Sequence, residues 1–328
     1  MRKRFFIKAF LFIVLVTGIQ TLISPQAEIP LHTQYVDYIF SRKVDVVYFG
    51  DSSVTWAAAD DPSKATIPQI LGRFLPDVEI GDISHASFDM RMFAAYAQYF
   101  ARMDYTPAWI IIPVNIRSFS PEWCMKTSSL AEEMKTVLAL KGGPWMSFLK
   151  PVLVFKMKEE ERSQFGYQHR KVRVGSRVIG RMQDFVGDDY KDFTTDKLVK
   201  KLMLRFMFTL TSDNPNMRAL RETVAILKQR KTRVLFYMTP VDYQTGQRYL
   251  GEEFAEQLNK NIHAVISYLK QENMPVIDFS RALPTEIFSW HQDPSSLYTN
   301  EHLRLKGRVF VAQALAKIIR ARMSVLPD

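Results

Sequence analysis

Apolar residues along this chain gather into short dense runs, separated by stretches with helical spacing. The runs are VDVVYFG (44–50), VEIGDIS (78–84), WIIIPVN (109–115), RVLFYMTP (233–240) and PVIDFS (275–280). They are short and rich in Val and Ile, as strands buried on both faces are. Between them, residues 89–103, 216–231 and 252–272 space aliphatic and aromatic side chains at helical intervals. Alternating strands and helices predict a parallel sheet with right-handed crossovers. The expected fold is α/β: a flavodoxin-like three-layer sandwich around a five-stranded parallel sheet.

Residues 120–215 break this rhythm and predict a helical insertion between the third and fourth strands. The insertion holds an apolar segment with interspersed lysines, GGPWMSFLKPVLVFKMK (142–158), and a basic one, HRKVRVGSRVIGR (169–181). Two readings stand for it: a solvated helical subdomain, or a surface that meets a membrane interface or an acidic polymer.

The N-terminus carries its own pattern. Arg2, Lys3 and Arg4 precede a stretch from Phe5 to Ser24 whose only charge is Lys8. That is the length of one helical membrane crossing, and Lys8 lies where its stem can reach the headgroups. The basic cap places the N-terminus in the cytoplasm and the rest outside. A cleaved signal peptide is the rival, but Pro25 stands where a small residue is wanted. The expected division is a basic cap and transmembrane anchor (1–27), a linker (28–43) and one domain (44–328).

The chain has 328 residues and is 47% apolar, enough for a sizeable core, and its net charge is +10. Such a charge favours an anionic neighbour, and the absence of any nucleic-acid-binding motif excludes nucleic acid from the expected partners. The single cysteine, Cys124, makes neither an internal disulfide nor a Cys-ligated metal site.

In parallel sheets ligands gather beyond the carboxyl ends of the strands. The residues there are Asp51 and Ser52, Ser84 and His85, Asn115, and Asp242. A serine nucleophile needs a base within hydrogen-bond reach and donors for the oxyanion. Of the six histidines, His302 stands in a polar loop, TNEHLRLKG, after the last strand and directly before the final helix. From there it can overhang the strand end that carries Ser52. His85 follows the second strand and either lines the same site or satisfies a local hydrogen bond.

These residues resemble the SGNH (GDSL-type) hydrolases. Gly50-Asp51-Ser52 follows the first strand, Asn115 ends the third, and His302 precedes the last helix. Three of the family's four blocks thus occur in order, across about 44–320 once the insertion is skipped. The resemblance implies Ser52 as nucleophile, His302 as base, and the Asn115 amide with the Ser52 N–H as oxyanion donors. Asp51 is expected to stabilise the turn. Two departures stand out. The second block, GDISHASFDM, lacks the family's glycine and places Ala86 or Ser87 there. Thr299 replaces the aspartate three residues before His302. Asp293, Asn300, Glu301 or a backbone carbonyl must then orient the imidazole. No cofactor or metal is expected.

With the anchor, the resemblance narrows by analogy to envelope proteins that work beside membrane-bound O-acyltransferases, such as DltD-like and AlgJ/AlgX-like proteins. The implied function is extracytoplasmic acyl transfer to a cell-envelope polysaccharide. The partners would be the membrane and a membrane-bound O-acyltransferase. An anchored esterase or lipase acting on a lipid or other ester is the second reading. A non-catalytic binding protein on a degenerate SGNH fold is the third.

Overall fold

A computed structural model describes residues 41–127 apart from 59, residues 130–131, 172–174, 177–179, 195–289 apart from 231, and 301–323. Of the first forty positions it describes 5–8, 10–12, 15, 36, 38 and 39. Five strands form the main sheet: β1 (Val46–Gly50), β2 (Ile80–Ser84), β3 (Trp109–Val114), β6 (Arg233–Met238) and β7 (Val276–Asp278). Their order is β2-β1-β3-β6-β7 and every neighbouring pair is parallel. Each predicted apolar run holds one of these strands.

Two short helices and six longer segments complete the described fold: α1 (Ser52–Thr55), α2 (Ile67–Phe74), α3 (Met90–Ala101), α4 (Pro121–Lys126), α5 (Thr195–Phe206), α6 (Pro215–Lys228), α7 (Tyr243–Gln271) and α8 (Leu305–Met323). Their starts follow from capping chemistry. Thr66 and Gln69 form a reciprocal capping box at α2, and Asp89 caps α3 through the Arg91 N–H. α7 is kinked at Gly251, whose φ of 66° and ψ of −157° lie outside the helical region.

The central strands β1, β3 and β6 are buried on both faces, which is why they read as continuous apolar runs, whereas the edge strands β2 and β7 are partly exposed. Phe49 packs on Phe93, Tyr96 and Phe100 of α3, and α3 packs on α6. The register alternates, so Tyr48 and Tyr237 look toward the opposite face, where Tyr237 meets Phe279 and Phe279 meets Phe310 of α8. There α8 packs on α2.

The insertion differs in part from its helical expectation. Residues 172–174 (β4) and 177–179 (β5) pair as an antiparallel hairpin, whose β-branched Val172, Val174, Val178 and Ile179 favour extended backbone. α5 packs against α4, against the 3-10 turn Ile116–Phe119 after β3, and against α7. The segment 142–158 lies outside the described residues. So does most of 5–24. Among the described residues no helix is long and apolar enough to cross a membrane. Phe5, Phe6, Ile7, Phe10, Leu11, Phe12 and Leu15 of that segment stand exposed.

Candidate active site

β1 is flanked by β2 on one side and β3 on the other, so the strand order reverses at its carboxyl end. Such a switch point opens a crevice. Gly50, Asp51 and Ser52 lie there. Gly50 is required by close approach: a Cβ would overlap Ser84 Oγ and come within 2.8 Å of Ser84 Cβ and 2.9 Å of Val54 Cβ. Asp51 is the N-cap of α1, and its Oδ1 accepts from the Ser53 N–H at 2.8 Å and the Ser53 hydroxyl at 2.5 Å. Ser52, the first residue of α1, is half-buried.

Asp51 Oδ2 accepts from Asn115 Nδ2 at 2.9 Å, which ties the end of β1 to the end of β3. Asn115 caps the 3-10 turn, and its Oδ1 accepts from the Arg117 N–H at 3.1 Å. Both ends of the amide are therefore oriented, and one of its two N–H bonds goes to Asp51. Asp51 thus caps the turn, as its residue type suggested, and also braces Asn115.

The second block closes the other side. The His85 N–H bonds the Gly50 carbonyl at 3.2 Å, and the Phe88 N–H closes a turn on the His85 carbonyl at 3.2 Å. Ser87, third in that turn, has φ of 70°, the left-handed conformation a type II turn demands there. The resemblance places Ala86 or Ser87 where the family has glycine, and of the two Ser87 holds the left-handed conformation. His85 turns back on its own loop, with Nδ1 2.7 Å from the Ala86 carbonyl and its ring against Phe88.

His302 reaches this crevice through Trp56. The Trp56 N–H bonds the Ser52 carbonyl at 3.0 Å, one helical turn on, and its indole stacks on the imidazole with centroids 4.6 Å apart and planes at 22°. The backbone beside His302 is pinned as an extended bridge: the Ser289 N–H bonds the His302 carbonyl, Phe288 pairs Leu303, and the Arg304 N–H bonds the Ile287 carbonyl. Burial pushes the imidazole pKa down to about 3, and the positive charges of Arg117 and Arg205 push the same way.

Of the three candidate orienting residues, Asp293 and Asn300 lie outside the described residues. Glu301 is buried, and its Oε2 lies 3.1 Å from Arg117 Nε. The Arg117 guanidinium also lies 4.4 Å over the Trp123 ring. Arg117 therefore links Asn115, through its own N–H, to the residue before His302.

A second arginine braces the loops. Arg308 is fully buried and donates to the carbonyls of Trp56 (3.3 Å), Ser63 (2.7 Å), Ala65 (3.0 Å) and Leu303 (2.7 Å), and to Asp61 Oδ2 (2.9 Å). One guanidinium thus holds both the residue stacked on His302 and the residue after it. Below the crevice, Asp89 binds Arg91, Thr127 and Asn216, and the Asn216 amide also reaches the Ser118 carbonyl at 2.6 Å. Cys124 sits in this network, 3.6 Å from Asn216 Nδ2, and burial pushes its thiol pKa up to about 11.

The structure brings Ser52, Asp51, Asn115, His85 and Ser87 to the carboxyl ends of β1, β2 and β3, and His302 to α1. Sequence reasoning missed Trp56, Arg117 and Arg308. Only Trp56 carried a signal, as an aromatic one helical turn after the candidate nucleophile.

No family model and no curated protein matches the chain. Among solved structures it is similar to a G-D-S-L family lipolytic protein from Desulfitobacterium hafniense, at 12% identity and a TM-score of 0.37 over 83% of this chain and 98% of that one. An acetyl xylan esterase from Geobacillus stearothermophilus gives 12% and 0.38, over 84% and 93%. An aryl esterase from M. smegmatis gives 11% and 0.36, over 84% and 98%. Likenesses this distant assign no chemistry.

Proposed function

We propose that this chain is an SGNH-type serine enzyme that moves acyl groups through an acyl-Ser52 intermediate. It would be anchored by its N-terminal segment, on the extracytoplasmic side, and act on a cell-envelope polysaccharide. The observation that carries the reading is the assembly at the strand switch point. Asp51 joins Asn115 beside Ser52, and Trp56 joins His302 to the same turn.

The chemistry follows from those atoms. His302 accepts the Ser52 hydroxyl proton as Oγ attacks the acyl carbonyl carbon. The oxyanion takes the second Asn115 N–H and the Ser52 N–H. As the tetrahedral adduct collapses, the ester C–O bond breaks and the leaving oxygen takes the proton from His302, leaving acyl-Ser52. A polymer hydroxyl then repeats the sequence in reverse and carries the acyl group away. With water as acceptor the same steps give an esterase.

Burial, Arg117 and Arg205 disfavour the imidazolium that must form whenever Ser52, a polymer hydroxyl or water is deprotonated. Acylation and deacylation should both be slow, and the choice between transfer and hydrolysis then falls to which acceptor the site holds. The exposed apolar side chains between Phe5 and Leu15 support the anchor.

The test has three parts. A fluorophosphonate probe should label Ser52, located by peptide mass spectrometry. A Ser52→Ala strain should lose acyl groups from an envelope polymer, while the purified protein turns over nitrophenyl esters slowly. A reporter fused after residue 30 should be active only outside the cytoplasm. Fast ester hydrolysis with unchanged polymer acylation would refute transfer and leave an esterase. Failure of the probe to react would leave a binding protein.

A further inference from the structure

We infer that Trp56 is the positioning residue for the His302 imidazole, fixing its plane by stacking, with Arg308 holding the two in register. The inference rests on the proposed role of His302 as base for Ser52. The contact is face to face, with ring centroids 4.6 Å apart and planes at 22°. An imidazole in that contact cannot turn about its Cβ–Cγ bond without driving a ring edge into the indole. The ring plane is therefore held, and both nitrogens are confined to it. A triad carboxylate fixes the ring by hydrogen bond and adds charge; the stack fixes it without charge.

The support for Trp56 is built rather than incidental. Its N–H is bonded to the Ser52 carbonyl, so the indole moves with the nucleophile's own turn. Its carbonyl and that of Leu303 share Arg308 Nη1, at 3.3 and 2.7 Å. Asp61 secures that guanidinium, and its Oδ1 accepts from the Leu305 N–H at 3.3 Å. Nucleophile turn and histidine loop are thereby joined through one buried cation. The stack also covers one face of the ring. Among the described residues the charges near the loop are Glu301, Arg117, Arg205, Arg304, Asp60 and Asp61, and substituting Trp56 leaves them all in place.

The experiment compares Trp56→Phe and Trp56→Leu with the full-length wild type, two readouts each. The first is the pH dependence of fluorophosphonate labelling at Ser52. Phe keeps an aromatic face and should label within about threefold of wild type at pH 7.5, whereas Leu should be slowed by about tenfold or more. The second is the His302 pKa, read by histidine NMR titration, which does not need a reactive Ser52. Leu admits water to the ring, so the pKa and the acid limb of labelling should move up together by at least about one pH unit, while Phe leaves both low. Equal losses in Phe and Leu with an unmoved pKa would mean a merely structural indole and would overturn the inference. So would wild-type labelling and pKa in the Leu variant. Absence of labelling in wild type would instead refute the Ser52 reading, and the NMR titration would still decide whether Trp56 shields the ring.

Discussion

Asp82→Asn should stabilise the protein, increasingly as the pH rises above about 4. Asp82 sits on β2 opposite Tyr48 of β1, on the face where the Tyr48 and Tyr237 hydroxyls meet at 2.6 Å. Its Oδ1 is buried without a hydrogen-bond partner. Burial raises its pKa from 3.8 to about 6, with Ser84 offsetting part of the rise. A raised carboxyl pKa means that the folded state binds the proton more tightly than the unfolded one. The cost is therefore absent below about pH 4, grows between 4 and 6, and is complete above 6. A displacement of about two pH units, at about 1.4 kcal/mol each, gives a penalty of about 3 kcal/mol at pH 7 to 8. Asn has the same shape and no charge to desolvate. Urea unfolding of both full-length proteins at pH 4 and pH 8, followed by tryptophan fluorescence, isolates the effect, because every other titrating group cancels in the difference. The variant should match wild type at pH 4 and exceed it by about 2–3 kcal/mol at pH 8. A stability difference that does not change with pH would refute the burial argument.

Ser87→Gly should raise stability by about 1 kcal/mol, seen as a higher Tm, because serine at φ 70° carries left-handed strain that glycine lacks; a lower Tm would show that the serine side chain matters more than the strain. Gly50→Ala should cost about 1–3 kcal/mol, since Ser84 and Val54 already occupy the Cβ position, and labelling of Ser52 should fall with it; unchanged labelling would show that α1 tolerates the shift. Arg117→Met should cost about 3–5 kcal/mol by leaving Glu301 buried without its cation, whereas Arg117→Met combined with Glu301→Gln should recover most of that loss; equal denaturation midpoints for the single and double variants would refute the pairing.

The centre of the sheet was legible because β1, β3 and β6 are buried on both faces. A run such as Trp109–Val114 must be apolar at every position to sit between two helical layers, and all six of its residues are buried. The hairpin at 172–179 was not legible, since three-residue strands amid arginines offer no period to read. Residues that follow a strand directly were legible for a related reason. Asp51 and Asn115 are a cap and a turn residue by type, and the chain delivers them to the switch point with no loop to intervene.

Trp56, Arg117 and Arg308 were hidden because each acts across the chain. Arg308 bonds residues more than 240 positions away, and in sequence it is only a basic residue in the first turns of a helix. Glu301 shows the same limit from the other side. Its place beside His302 made it a candidate to orient the ring, yet its carboxylate faces Arg117, which itself hangs from Asn115. The pair thus couples Asn115 to the loop that carries His302, and the aromatic stack covers the ring. An ion pair fixes the loop that carries His302, and an indole lies against the face of its ring. If His302 acts as proposed, the work that one carboxylate does in a triad is here divided between these two contacts, and neither places a negative charge on the imidazole.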